Sequence, residues 1–296
     1  MEQQNELDRL IVTVLAEDSV QYESPYLGQH GVSFLVEAEA AGTVRRILVD
    51  VAQNHDALLT NMKLMGIDPA AIDSIVLTHC HYDHTRGLAH IIRAIGRPDI
   101  PVVAHPSIFR PNFITSPSLR HVGVMQGDGK EAIEKAGGFL CLSGDPLQIM
   151  PGLTTSGEIE RMTAFEEVGI NLFTIDKGAV VPDPMRDDIS LIAAVKDKGL
   201  VIITGCSHAG IINIAKQAVN IAGDKKIHAI IGGLHLIEAT GDAHERIKKT
   251  VDALRQIDPD RIYAGHCTGF QAQVELYNTF NKRFSPLCTG MAIEIS

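Results

Sequence analysis

Four short apolar stretches of this chain each deliver a histidine at or just beyond their carboxyl end. "SIVLTH" closes on His79, "LVIITG" runs into "CSH" and His208, "AIIGGLH" closes on His235, and "RIYAGH" closes on His266. Each stretch is rich in β-branched residues and reads as a strand. Segments with helical spacing follow them. "HDALLTNMKLMGI" sets Leu58, Leu59, Met62 and Met65 at helical intervals, and "GLAHIIRAIG" reads as a helix closed by Gly96. "GIINIAKQAVNIAG", "HERIKKTVDALRQI" and "FQAQVELYNTFNKRF" supply helices in the second half. Strand and helix alternate in both halves, which predicts α/β layers with the helices outside. In layered folds of this kind ligands collect beyond the carboxyl ends of strands. Four strands that deliver histidine there predict a single site.

The remaining elements fit the same scheme. "LIVTVLAED", "VSFLVEAEA" and "VRRILVDVA" read as opening strands, "IPVVAH" as a buried strand and "MAIEIS" as a closing one. "ISLIAAV" and "GLVIITG" flank "KDKG" as a hairpin. No Pro/Gly/Ser-rich linker divides the chain, so 1–296 reads as one domain. Residues 106–184 carry many of the prolines and glycines and read as an irregular, lid-like insertion with a short helix near Glu131 to Ala136.

"LTHCHYDHTRGL" is the densest chemical feature. His79, His81, Asp83 and His84 fall within six residues. Transition metals take neutral imidazole nitrogens and carboxylate oxygens. Two histidines two apart, in a loop leaving a strand, can splay around one ion. Asp83 and His84 follow where the chain turns into a helix and reach a second ion nearby. Two such ions lie ~3.5–4 Å apart and share a bridging water. Cys80 and Tyr82, interleaved, are expected to point away and pack, and Asp83 to orient the activated water.

Composition removes several alternatives. Acidic residues outnumber basic ones 36 to 26, for a net charge of −10, and no basic stripe of the kind a nucleic-acid partner requires is present. The apolar runs are too short to span a bilayer. The N-terminus "MEQQNELDRL" lacks a basic region followed by an apolar one, so a cytoplasmic protein with no membrane partner is expected. The five cysteines are odd in number, widely spaced and without a CxxC pair, which argues against a disulfide framework. No GxGxxG or GxxxxGKS motif is present, so no dinucleotide or P-loop site is implied. Ser207 stands beside His208, but adjacent residues on an extended chain point apart, so they form no nucleophilic dyad.

The H-x-H-x-D-H string resembles the hallmark loop of the metallo-β-lactamase superfamily, and the order of strands and helices is similar over nearly the whole chain. "GQHGVSFLVE", "SGEIERMTAFE", "DDISL", "GLVIITGCSHAGIINI", "IIGGLHL" and "AGHCTGF" resemble, in order, a subgroup of dihydropterin-type synthases linked to methanopterin biosynthesis. The resemblance implies a four-layer αββα sandwich with a binuclear site along one edge of its sheets, holding two divalent ions, zinc first, with manganese or iron as alternatives. It implies His79 and His81 on the first ion, and Asp83, His84 and His266 on the second. Cys206 follows a glycine where many members carry a bridging aspartate, and a thiolate can ligate there. The "GHTPGH" block of glyoxalase II-type hydrolases is replaced by "PMRDDISL". The third ligand of the first ion is therefore His208, Cys206 or Asp188, in that order.

The remaining candidates concern substrate. His235 reads as a proton donor to a leaving group. Arg161, in "SGEIER", is a candidate clamp for phosphate or carboxylate. Arg86 stands beside the metal loop, where it can steer an anion, and His30 and Asp188 are candidate pocket residues. The expected function is a metal-dependent enzyme that activates a water or hydroxide and acts on a small anionic, phosphorylated, pterin-type substrate. The alternatives are a generic phosphodiesterase, ester or lactone hydrolase, and a non-catalytic metal-binding sensor.

Overall fold

Alternation along the strands decides the layering. In the computed structural model, which describes residues 6–168, 171–223, 225–237 and 243–296, Phe34, Val36, Ile47 and Val49 face one cluster of buried side chains while Leu35 and Leu48 face another. Likewise Leu191, Ala193, Val201, Ile203, Ala229 and Ile231 join the first cluster, and Ile192, Leu200, Ile202 and Ile230 join a third. A period of two with both faces apolar means a sheet covered on both sides. The first cluster is the seam between two sheets. The second lies under the helices His55–Leu64, Leu88–Ile95 and Lys130–Ala136, and the third under Ile211–Ala222, Ala243–Ile257 and Phe270–Phe280. The result is a four-layer αββα sandwich.

One sheet runs in the order Ala292–Ile295, Arg9–Ala16, Ser33–Ala40, Thr43–Val49, Ser74–Val76, Ile100–Ala104, Gly138–Leu142. The other runs Phe284–Pro286, Arg261–Gly265, Ile227–Gly233, Gly199–Thr204, Ser190–Val195, Leu153–Thr155, Gln148–Met150. Thr43–Val49, Ser74–Val76 and Ile100–Ala104 are mutually parallel, as are Gly199–Thr204, Ile227–Gly233 and Arg261–Gly265. Their carboxyl ends bring Asp50, the 77–85 loop, Cys206, His208, His235 and His266 to one rim. No helix among the described residues is long and apolar enough to cross a membrane.

The structure changes two expectations. The 106–184 stretch is not one insertion, and 169–170 within it lie outside the described residues. Gly138–Leu142 extends the first sheet, while Gln148–Met150 and Leu153–Thr155 extend the second. These are strands of three to five residues at or next to the sheet edges, too short for an alternation to register. Only Phe113–Ile114, Arg120–His121, Phe173–Asp176 and Ala179–Pro182 build a separate, four-stranded sheet. The strand before the metal loop also ends sooner than expected, at Val76. Leu77 still donates to Val103, but the Thr78 amide turns away and donates to the Asp50 carboxylate at 2.7 Å.

Candidate metal centre

Asp50 organises the metal loop. Its carboxylate is fully buried and accepts from the Thr78 amide at 2.7 Å, the Thr78 hydroxyl at 2.6 Å and Nδ1 of His84 at 2.7 Å. The Thr78 hydroxyl, having donated to Asp50, accepts from Nδ1 of His79 at 3.0 Å. Asp18 receives Nδ1 of His266 at 2.6 Å. In all three histidines an outer oxygen holds the Nδ1 proton, which leaves Nε2 facing inward as a donor of electrons. Histidines that ligate metals are held in this way by their outer partners. Close packing enforces the arrangement. A Cβ at Gly205 would lie 2.1 Å from the Thr78 hydroxyl, and one at Gly31, where φ is +100°, would lie 1.8 Å from the Asp83 carbonyl oxygen. Only glycine fits either place.

Two ligand clusters share Cys206. His79, Cys206 and His208 offer ligand atoms within 4.8 Å of one another, and so do His84, Cys206 and His266. Nε2 of His79 is 3.1 Å from Nδ1 of His81, and the His208 ring centroid is 4.8 Å from that of His79 and 4.7 Å from that of His81. Asp83 Oδ2 lies 3.2 Å from Nε2 of His266 and 3.5 Å from Nε2 of His84, and the Cys206 sulfur is 3.2 Å from the latter. The structure thus brings together His79, His81, His208 and Cys206 on one side, and Asp83, His84, His266 and Cys206 on the other.

Charge follows the same division. Burial, reinforced by neighbouring imidazoles, holds His79 and His208 well below the usual histidine range, and burial lowers His81 to about 4. These rings are neutral, as ligands must be. On the other side burial alone would lower His84, but Asp83 and Asp50 outweigh it and raise the ring to about 9, so that a cation bound there would displace the proton from Nε2. His266 is raised against its burial by Cys267, Asp18 and Asp83. Asp83, despite burial, is held well below the usual carboxylate range by His84 and His266. Burial pushes the Cys206 thiol well above its ordinary value, so that a thiolate there requires a cation.

The residues fit a metal on a direct observation. Nε2 of His81 and both ring nitrogens of His208 are buried without a hydrogen-bond partner. Buried polar atoms are almost always paired. A cation facing His79 and Cys206 would take the lone pairs of His81 Nε2 and of one His208 nitrogen, which no side chain or backbone group among the described residues does.

Around this centre lies a pocket of about 400 Å³. His30, His81, Asp83, Cys206, His208, His235, His266 and Cys267 line it on the ligand side, and Tyr82, Ile114, Ser116, Arg120, Val122, Asn171, Leu172 and Ile237 complete it. His30 is held by Asp18 through Nδ1 at 3.0 Å, and its Nε2 is 3.4 Å from Asp83 Oδ2. Cys80 packs inside the outer core as expected, and Tyr82 packs against that core while also lining the pocket.

Several expected substrate residues stand elsewhere. Arg161 donates to the carbonyl oxygens of His208, Pro184 and Met185, which ties its guanidinium to backbone. Arg86 is exposed and does not line the pocket. Asp188 is buried, accepts from the Ala209 amide at 2.6 Å, and belongs to neither ligand cluster. Burial raises its carboxyl to about 7. His235 lines the pocket with an unpartnered Nδ1, and its ring centroid is 4.1 Å from that of His208. Burial and the nearby Arg246 lower it to about 3, so the ring is neutral and carries no ready proton for the donor role expected from sequence.

Sequence reasoning missed Asp50 and Asp18. Asp50 carried one signal, its place directly after the strand Thr43–Val49 on the rim where the histidines gather. It also missed Arg110, which forms a two-pronged ion pair with Asp183 at 2.7 and 3.0 Å and reaches Asp187 at 2.7 Å. Asp187 in turn accepts from the Cys80 amide at 2.8 Å, anchoring the metal loop from behind.

Comparison with known proteins agrees with the fold. A family profile described as the metallo-beta-lactamase superfamily matches residues 31–163. The chain is 43% identical to the 7,8-dihydropterin-6-methyl-4-(beta-D-ribofuranosyl)-aminobenzene-5'-phosphate synthase of Methanocaldococcus jannaschii, over 97% of each chain. A crystal structure of a metal-dependent hydrolase of the beta-lactamase superfamily superposes with a TM-score of 0.79 at 24% identity, covering 97% of this chain and 99% of that one. The metallo-beta-lactamase fold protein YhfI of Bacillus subtilis follows at 0.56 and 14% identity, covering 97% of this chain and 100% of that one.

Proposed function

This chain belongs to the metallo-β-lactamase superfamily and is a metal-dependent enzyme, and from that premise we propose that it holds two divalent ions and joins a dihydropterin methyl group to a phosphorylated ribosyl aminobenzene. His79, His81 and His208 would hold the first ion and Asp83, His84 and His266 the second, with Cys206 within reach of either group. A set of nitrogen, thiolate and carboxylate donors suits zinc, with manganese or iron as alternatives. Ions of this class supply Lewis acidity and lower the pKa of bound oxygen. The non-catalytic sensor reading falls with the enzyme assignment.

The chain's own groups do the rest. Asp50, Thr78 and Asp18 fix three imidazoles before any substrate arrives, so no reorganisation is needed at the moment of reaction. The apolar wall of Tyr82, Ile114, Val122, Leu172 and Ile237 accepts flat rings and excludes water. In the coupling, a bond forms between the aminobenzene nitrogen and the pterin methyl carbon, and the bond from that carbon to its anionic leaving group breaks. The proton that the nitrogen releases leaves with the departing anion.

The likeness to the named synthase over 97% of both chains carries the substrate class. The test is a coupling assay. Metal-loaded protein is incubated with 4-(β-D-ribofuranosyl)aminobenzene 5'-phosphate and 6-hydroxymethyl-7,8-dihydropterin diphosphate, and the product is sought by mass. A coupled product that disappears on chelation supports the reading. Cleavage of bis-p-nitrophenyl phosphate without any coupling overturns it in favour of a phosphodiesterase.

A further inference from the structure

The pocket has two kinds of wall. The ligand side comes from the rim of the two main sheets. The facing residues Ile114, Ser116, Arg120 and Val122 come from the small sheet. Ile114 pairs directly with Arg120 across the hairpin Phe113–Ile114/Arg120–His121. Arg120 and Val122 are two apart, so they share a face, and that face is the pocket face.

The hairpin is bolted to the metal loop. The Tyr82 amide donates to the Val122 carbonyl at 2.9 Å, and the Val122 amide donates to the Asn112 carbonyl at 2.9 Å. The Asn112 side chain donates to Asp183 at 2.7 Å, the same carboxylate that holds Arg110. The backbone at Arg120 is therefore fixed against the metal loop within two residues, although its side chain is free.

Arg86 and Arg93 are also unpaired among the described residues but do not line the pocket, whereas the arginines packed near the site are held. Arg110 is paired with Asp183 and Asp187, Arg161 is held by three carbonyls, and Arg246 donates to the His235 carbonyl. Among the described residues, Arg120 makes no ion pair and no side-chain hydrogen bond. It is also the one lysine or arginine that lines the pocket among them. On a chain of net charge −10, an anion away from the ligand clusters has no other cation to meet there.

We propose that Arg120, assisted by the Ser116 hydroxyl, forms a binding site for a phosphate monoester on the wall of the pocket built by the hairpin Phe113–Ile114/Arg120–His121, and so selects phosphorylated over unphosphorylated substrate. The inference rests on the reading of this pocket as the substrate site. A guanidinium presents two parallel N–H donors that match phosphate oxygens, which a lysine does not. The site is a specificity element. Because Arg120 is exposed, the phosphate keeps part of its hydration, and the discrimination is on the order of tenfold rather than thousandfold. Arg161 and Arg86 cannot take this role from where they stand.

The test measures Kd by calorimetry for metal-loaded protein with 4-(β-D-ribofuranosyl)aminobenzene 5'-phosphate and with the same compound lacking phosphate. Wild-type protein is expected to favour the phosphate by about tenfold or more. Arg120→Gln should abolish that preference at unchanged metal content and unchanged affinity for the dephosphorylated compound, and Arg120→Lys should restore part of it. A preference that survives Arg120→Gln overturns the site, and so does its absence in wild-type protein. If wild-type protein binds neither compound, the proposed substrate class fails, and the site is judged on phenyl phosphate against phenol. An Arg120-dependent preference there upholds it, and equal binding by wild-type protein and Arg120→Gln refutes it. Loss of metal in wild-type protein would count against the metal reading alone.

Discussion

Asp50→Asn is the sharpest perturbation of the centre, because it alters one buried charge and almost no volume. The two carboxylate oxygens receive three donors, the Thr78 amide, the Thr78 hydroxyl and Nδ1 of His84. Asparagine offers one acceptor oxygen and one NH2 group, so at least one of those donors meets another donor. With the NH2 toward His84, the imidazole must accept at Nδ1. Its proton then moves to Nε2, which points at the Cys206 sulfur 3.2 Å away. A ring protonated there cannot ligate. Loss of a buried, charge-assisted hydrogen bond costs about 1.5–3 kcal/mol. Changes in outer partners of metal-ligating histidines weaken metal binding by about 10–100-fold, or about 1.4–2.7 kcal/mol. The two figures agree. Metal-free protein titrated with zinc against a chromophoric chelator should show two classes of site in the wild type. In Asp50→Asn the class built on Asp83, His84 and His266 should weaken by about 10–100-fold, and the class built on His79, His81 and His208 should weaken as well, because the Thr78 hydroxyl that holds His79 donates to the same Asp50 oxygen as His84. Unchanged binding at both sites, with an intact circular dichroism spectrum, would refute the argument that Asp50 acts through the histidines it holds.

Three further outcomes follow from the same geometry. Cobalt-substituted protein should show thiolate-to-metal charge-transfer absorption in the near ultraviolet, and Cys206→Ser should remove it. A band that persists would assign the thiolate to Cys267 instead. Arg110→Met strands Asp183 and Asp187 as buried carboxylates without their cation, and urea unfolding should register a loss of about 3–5 kcal/mol, whereas a loss below about 1 kcal/mol would show that the pair contributes little. Glu166 accepts from the Ile212 and Asn213 amides, and burial, opposed by those bonds, raises its carboxyl from 4.5 to about 7. Its protonated form is favoured in the fold, so its stabilising contribution is complete below pH 4.5 and lost as pH rises through 7. Glu166→Gln should therefore gain on wild type by about 3 kcal/mol between those limits in paired urea titrations, and parallel curves would contradict the assignment.

What could be read from the sequence divides along a physical line. Strand alternation and helical spacing are local, and they located the layers because each sheet buries both faces. The H-x-H-x-D-H string is local too. His208, Cys206 and His266 were reachable because the chain places each at the end of a strand, and strand ends converge in this architecture. Asp50 and Asp18 were not reachable, since a carboxylate that holds a histidine from behind has no spacing relative to it. Asp50 is 34 residues from His84, and Asp18 is 248 from His266. The arginines failed for a related reason. From sequence, Arg161 and Arg86 looked suited to a clamp because they neighbour recognisable motifs. A guanidinium binds a ligand only if the fold leaves its donors unoccupied, and that depends on which carbonyls and carboxylates surround it. Three backbone carbonyls occupy Arg161, and Arg86 faces solvent away from the pocket. Arg120, in a two-residue strand of an irregular segment, carried no local signal. Its claim rests on two properties that exist only in three dimensions, a backbone anchored to the metal loop through Val122 and Tyr82 and a side chain that the rest of the protein leaves free.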